Sequence, residues 1–160
     1  MLTNMVIMKM SVSRKGFTLV EIMIVVAIIG LLAALGIPKM LGAGNKTRKV
    51  RFAREIQAAG HAFVQYACDH GDYPADKTPA QMPNGMAEYL NGFPWFDDTV
   101  IGGQWDWDYG VFGIRAGVSV KSPNWNNDQM QEIDAMIDDG NLGSGQFRQR
   151  PGGYIYILEE

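Results

Sequence analysis

Glu21 is the one charged side chain between Phe17 and Leu35, a run of 19 residues in which Thr18 is the only other strongly polar group. A carboxylate inside an apolar span costs a few kcal/mol, so its presence asks for a specific partner. Arg14-Lys15-Gly16 stands immediately before this run. A conventional secretory signal places its small-residue cleavage site after the apolar stretch. Here the small residue, Gly16, comes first, so a cut at that point would leave the apolar helix on the chain. A second constellation lies near the C-terminus. Asp138, Asp139 and Asn141 offer oxygen atoms of the kind calcium takes, although their spacing is not that of an EF-hand loop. The plainer alternative is a capped helix end with solvated acids. No nucleophile–base pair with local support, phosphate loop or metal cluster of recognisable spacing stands out, so the chain is not read as an enzyme.

The elements that hold these residues follow from periodicity. Phe17 to Leu35 as a helix spans roughly 28 Å at 1.5 Å per residue, close to a hydrocarbon core of about 30 Å. Arg14 and Lys15 precede it, and the positive-inside bias puts residues 1–16 in the cytoplasm with the bulk of the chain across the membrane. Gly36-Ile37-Pro38 is expected to kink the helix or melt one turn, because proline lacks a donor and clashes one turn back. From about Asn45 the pattern resumes. Val50, Ala53, Ile56, Gly60, Phe63 and Ala67 define a packing face, with Arg48, Arg51, Glu55 and Gln65 opposite. The helix ends near His70-Gly71, where glycine suits a C-terminal cap. His61 and His70 read as surface residues.

The remainder reads as a small head. Gly71-Asp72-Tyr73-Pro74 is a turn, and residues 75–104 are a long connection with a helical turn near Met86–Leu90. Trp105, Trp107 and Tyr109 alternate with Asp106 and Asp108, which is strand period with an aromatic and an acidic face. The aromatic face reads as core against the helix, with a carbohydrate platform as the sharper alternative. Val111 to Ala116 and Val118 to Lys121 read as short strands. Asn127 to Asp139 reads as a second helix capped by Asn126 or Asn127 and ended by Gly140. Tyr154 to Leu158 is a β-prone final strand. The class is α+β, organised as residues 1–16, 17–37, 38–70 and 71–160.

Charge is divided along the chain. The formal net charge is −3, and loss of residues 1–16, with Lys9, Arg14 and Lys15 and no acid, makes it −6. Lys39, Lys46, Arg48, Lys49, Arg51 and Arg54 form a basic neck, whereas Glu55 onward carries 16 acids against five basic residues. Such a neck complements an acidic head between stacked subunits, or faces anionic lipid headgroups. Nucleic acid is not expected, because no aromatic or base-reading pattern accompanies the charge. Cys68 is the single cysteine, so no intramolecular disulfide forms. It reads as a small packing residue. Met1, Met8 or Met10 can serve as the start without changing the chain after Gly16.

The run Arg14-Lys15-Gly16-Phe17-Thr18-Leu19-Val20-Glu21, followed by the apolar stretch, resembles the prepilin leader and N-terminal helix of type IV pilins and type II secretion pseudopilins. That resemblance implies a long helix packed on a small antiparallel sheet. It implies cleavage between Gly16 and Phe17 by a prepilin peptidase and N-methylation of Phe17. It also implies that Glu21 pairs with the free amino group of a neighbouring subunit's Phe17 in a filament. Pro38 falls where the family's helix carries a proline that lets it unwind on assembly. The implied partners are the peptidase, copies of the chain and other pilin-like subunits, an inner-membrane assembly platform and the bacterial inner membrane itself, crossed once with the head periplasmic. Gly71-Asp72-Tyr73-Pro74 and the missing disulfide favour a pseudopilin. The family's calcium-binding C-terminal region is the reason to consider Asp138, Asp139 and Asn141. A type IV pilus subunit for adhesion, motility or DNA uptake, and a membrane-tethered binding module, are the alternatives.

Overall fold

A computed structural model describes residues 16–160, apart from the side chains of residues 35–43. Residues 1–15, including Arg14, Lys15 and the alternative starts, lie outside the described residues, as does the Pro38 side chain. The chain divides into two compact units, one ending at Leu41 and one covering Gly42–Glu160.

The first element, α1, runs Leu19–His70, and its backbone stays helical through Gly36, Ile37 and Pro38. The expected melted turn is therefore absent from the backbone, as a lost hydrogen bond need not end a helix held on both sides. The apolar run of α1 has described side chains from Leu19 to Ala34, 16 residues or about 24 Å of helix. Among the described residues no helix is long and apolar enough to cross a membrane.

In the second unit, Phe52, Ile56, Ala59 and Phe63 are fully buried, with Ala53 nearly so. The packing stripe is thus centred beside the one expected. Val50 and Ala67 are only partly buried, and Cys68 is exposed rather than packed. The sheet rather than the helix decides this offset, because two tryptophans sit opposite Phe52 and Phe63. Gly71, at φ +82, closes α1 by donating its N–H to the Ala67 carbonyl at 2.8 Å.

Four antiparallel strands follow: β1 (Gln104–Tyr109), β2 (Ala116–Lys121), β3 (Phe147–Arg150) and β4 (Gly153–Glu159), in sheet order β1-β2-β4-β3. The helix α2 (Asn127–Ile137) lies between β2 and β3 in sequence. Its start is a capping box between Asn126 and Gln129, with bonds of 3.0 and 3.2 Å. This is the α+β architecture expected, with three local corrections. Residues 111–115 are a turn and not a strand, because Phe112 (φ 54) and Gly113 (φ 78) leave the extended region. The strand beyond runs straight across Gly117, accommodated by a bulge at Ala116/Gly117. The Phe147–Arg150 strand went unread, since its Phe-Arg-Gln-Arg sequence has one apolar residue and draws its order from pairing with β4.

Aromatic packing joins helix to sheet. The Phe63 ring stacks on Trp107 at 3.8 Å between centroids, and Phe52 stacks on Trp105 at 5.6 Å. Both tryptophans are 0 % exposed, so their face is core and offers no platform to a carbohydrate. Rings of this size bury about 150–250 Å² each, making them the dominant apolar contribution to the head. The 75–103 connection is anchored into the same core by Met86, Leu90, Trp95 and Ile101, and Leu90 N–H bonds to the Met86 carbonyl at 2.9 Å in the expected turn. The Asp72–Pro74 turn is tied to the sheet edge. Trp107 Nε1 donates to the Pro74 carbonyl, and Arg115 bridges Asp72 and Glu159.

Candidate functional site

Gly16, Phe17 and Thr18 are non-helical and precede α1. Gly16 is exposed and Phe17 is 83 % exposed, so the peptide bond between them is accessible. Glu21 is already engaged within its own chain. Thr18 N and Oγ1 donate to Glu21 Oε2 at 2.8 and 3.0 Å, and Glu21 N donates to Thr18 Oγ1 at 3.2 Å. This is a capping box, whose Thr-x-x-Glu signal stood in the sequence and was not read there. The partner is neutral, and among the described residues no cation pairs with the Glu21 charge. Around it the helix is apolar on every side, and each large side chain from Leu19 to Leu32 remains about half exposed or more. A helix apolar all round needs a protein or lipid cover.

A second group forms where α2 ends. Carboxyl oxygens of Asp134, Asp138 and Asp139 lie within 4.8 Å of one another. Asp134 is 0 % exposed, and neither of its carboxyl oxygens has a hydrogen-bond partner among the described residues. Burial, reinforced by the charges of Asp139 and Asp138, pushes its pKa up to about 6. Asp139 accepts from Ser144 Oγ and Asn141 N, each at 2.8 Å, and these bonds, the Ser144 hydroxyl first, hold its carboxyl below the usual range. Asp138 accepts from Gln146 N, and Gly145 (φ +74) lies so close to the Asp138 carboxylate that a Cβ would collide with it.

The fold therefore brings Asp138 and Asp139 together, as their spacing suggested, and adds Asp134. The i, i+4 relation of Asp134 to Asp138 was the available signal. Asn141 Oδ1 is instead turned to Gly143 N at 3.1 Å, so this side chain is a turn former here. An orphaned, buried carboxylate beside two others is chemically suited to a hard cation that takes oxygen ligands.

A third charged group is the acidic face of β1. Asp106 and Asp108 point away from the aromatic core but are only 4 % exposed. Arg150, from the far edge strand, reaches across the sheet to Asp106 at 2.6 Å, Asp108 at 3.1 Å and Ser119 Oγ at 3.0 Å. Its guanidinium lies 4.8 Å from the Phe112 ring. One cation serves two carboxylates, and burial followed by the Asp108 charge pushes Asp106 up to about 6. The outer face thus carries a buried polar network, in which Asp106 Oδ1 still lacks a hydrogen-bond partner among the described residues, and an alternation pattern that assumes solvent on one side does not report it.

Known proteins resemble this chain, above all at its N-terminus. The family model described as the prokaryotic N-terminal methylation motif matches residues 12–37, which contain Gly16, Phe17 and Glu21. A type II secretion system core protein G of Escherichia coli (strain K12) is 31 % identical over 109 residues, covering 59 % of this chain and 75 % of the relative. A type II secretion system core protein G of Dickeya chrysanthemi is 26 % identical over 144 residues, covering 82 % and 90 %. A fimbrial protein of Neisseria meningitidis is 34 % identical over 71 residues, covering 44 % of this chain and 42 % of its own length. No solved structure matches. The chain belongs to the type IV pilin and type II secretion pseudopilin family, whose members are structural subunits.

Proposed function

We propose that this chain is a structural subunit of a type II secretion pseudopilus-like filament, cut between Gly16 and Phe17, N-methylated at Phe17 and assembled through its N-terminal helix. The observation that carries this reading is the uncovered, all-round apolar helix with a single acid, beginning directly after an accessible Gly16-Phe17 bond. Before assembly the inner membrane covers that helix, with residues 1–16 cytoplasmic and the head periplasmic. In the filament neighbouring helices replace lipid, and Glu21 exchanges its neutral Thr18 partner for the amine of another subunit's Phe17. Opposite charges in a low-dielectric core attract far more strongly than in water. Pro38 is where the helix unwinds in the assembled filament. The prepilin peptidase, an inner-membrane assembly platform and other pilin-like subunits are the implied partners. The fimbrial relative supports a surface type IV pilus as the second reading.

Intact mass with N-terminal fragmentation of the protein from its native membrane tests the processing step. The expected result is a chain starting at methylated Phe17. An uncut chain, or a cut beyond Leu35, overturns the filament reading.

We further assign calcium to Asp134, Asp138 and Asp139. The cation would supply the partner that the buried Asp134 oxygens lack and hold the loop 139–146 against α2. Calcium at a hundred times its Kd adds about 2.7 kcal/mol, on the order of 10 °C in the melting temperature of a domain this size. Melting in EDTA and in calcium at pH 7.5 checks this. The rise should vanish in Asp134→Asn, and an unaltered protein indifferent to calcium removes the assignment.

A further inference from the structure

The apolar helix and the calcium ligands leave two exposed features of the head unused. One is a groove of about 690 Å³ along α1. Val50, Ala58 and Phe93 line it with apolar surface, and Lys46, Arg51, Arg54 and Glu55 with charge. Arg51 turns to Glu55 at 2.7 Å, whereas Lys46 and Arg54 have no ion-pair partner among the described residues. The other is Phe96, 69 % exposed although its neighbour Trp95 is 0 % exposed. Asp97 and Asp98 follow it, both exposed and without a side-chain hydrogen bond or ion pair among the described residues.

The backbone holds this turn in place. Trp95 N–H bonds to the Phe93 carbonyl at 2.8 Å, Asp97 N–H to the Pro94 carbonyl at 3.3 Å, and Asp98 bridges to Gln104. Burying Trp95 therefore presents Phe96 outward in a defined position. The ring does not fill its own molecule's groove, although Phe93, three residues earlier, lines that groove. An apolar hollow with two free cations and an aromatic knob with two free acids are complementary in shape class and in charge.

We propose that the groove of one copy receives the Phe96 turn of a second copy. The ring covers the Val50–Ala58–Phe93 surface, and Asp97 and Asp98 face Lys46 and Arg54. Buried aromatic anchors within a ring of polar contacts are the usual energetic centre of an interface. Knob and hollow are different surfaces, so the contact is head-to-tail and repeats without limit unless the rotation closes. It rests on the filament reading and specifies which surfaces of the heads meet.

The test uses the full chain in its native cells with Cys68 replaced by serine. Ala58→Cys and Phe96→Cys together should, on mild oxidation, give a ladder of covalent oligomers in sheared filaments, and neither alone should. Arg54→Asp or Asp97→Arg alone should lower filament yield about tenfold or more, as for loss of an interface anchor, and the two together should restore it to within about threefold of the starting level. Both altered pairs are exposed, so folding is not at stake. Normal filaments with no ladder and no rescue overturn the inference and leave the filament reading intact, with the groove then open to a lipid or another protein. No filaments from the unaltered chain overturn both.

Discussion

Glu21→Gln is expected to leave membrane insertion and cleavage at Gly16 unchanged while lowering filament yield about tenfold or more. The choice of glutamine separates the two roles open to this side chain. In the free subunit the carboxylate accepts from Thr18 N and Oγ1. Glutamine is the other residue that closes a capping box, so it keeps most of that contribution, about 1 kcal/mol for a cap. What it removes is the negative charge. If Glu21 meets the Phe17 amine of a neighbour, glutamine leaves an uncompensated ammonium group in the apolar core, and truncating one partner of a buried charge pair costs about 3–5 kcal/mol. Glu21→Ala should then be little worse than Glu21→Gln. Filaments at normal yield from Glu21→Gln, with loss confined to Glu21→Ala, would reduce Glu21 to a helix cap. Quantifying sheared filament against total membrane-bound protein distinguishes these outcomes.

Arg150→Met should destabilise the head by about 3–5 kcal/mol, because it strands Asp106 and Asp108 inside the outer face of the sheet. Replacing all three by apolar residues of similar volume should recover most of that loss, since the cost lies in the unpaired charges. Thermal melting of the detergent-solubilised chain measures both, and a loss under about 1 kcal/mol for Arg150→Met would show the acids to be solvated.

Buried carboxylates of both charged groups set a pH dependence. Asp106 and Asp134 have folded pKa values near 6 against an ordinary 3.8. Between those values the folded chain holds more protons than the unfolded one, so stability falls as pH rises through the window and levels off above it. In chelator the melting temperature should therefore be higher at pH 5.5 than at 7.5. Calcium should narrow that difference, because it favours ionised Asp134. A melting temperature that climbs from pH 5.5 to 7.5 in EDTA would contradict the buried state of both carboxylates.

Much of the N-terminal chemistry is legible without coordinates, because it depends on covalent order. Arg14-Lys15-Gly16, the apolar run and one acid are neighbours along the chain, and their meaning survives any arrangement of the head. The helix after Asn45, the Gly71 cap, the Asn126 cap and the Tyr154–Leu158 strand are legible for the same reason: their signals lie within one or two turns. The reading failed where a partner distant in sequence decides. Asp106 and Asp108 alternate with tryptophans as a solvent face should, yet Arg150, 44 residues on from Asp106, closes over them. The Phe147–Arg150 strand has no strand pattern of its own and exists by pairing with β4.

Cys68 had the composition of a packing residue, but the sheet meets α1 along Phe52, Ile56, Ala59 and Phe63 and leaves that flank outside. Asp134 looked like one more acid on a helix, and only the packing of α2 buries it without a partner. By itself, then, the order of residues determined the family, the position of Gly16-Phe17 directly before the apolar helix and the presence of an acid within that helix, since each is a local property. Tertiary structure alone decided which charges are buried, which carboxylates gather, and which aromatic, Phe96 rather than Trp105 or Trp107, faces outward. Burial is a property of contacts between distant segments, and no pattern along a single segment reports what another will cover.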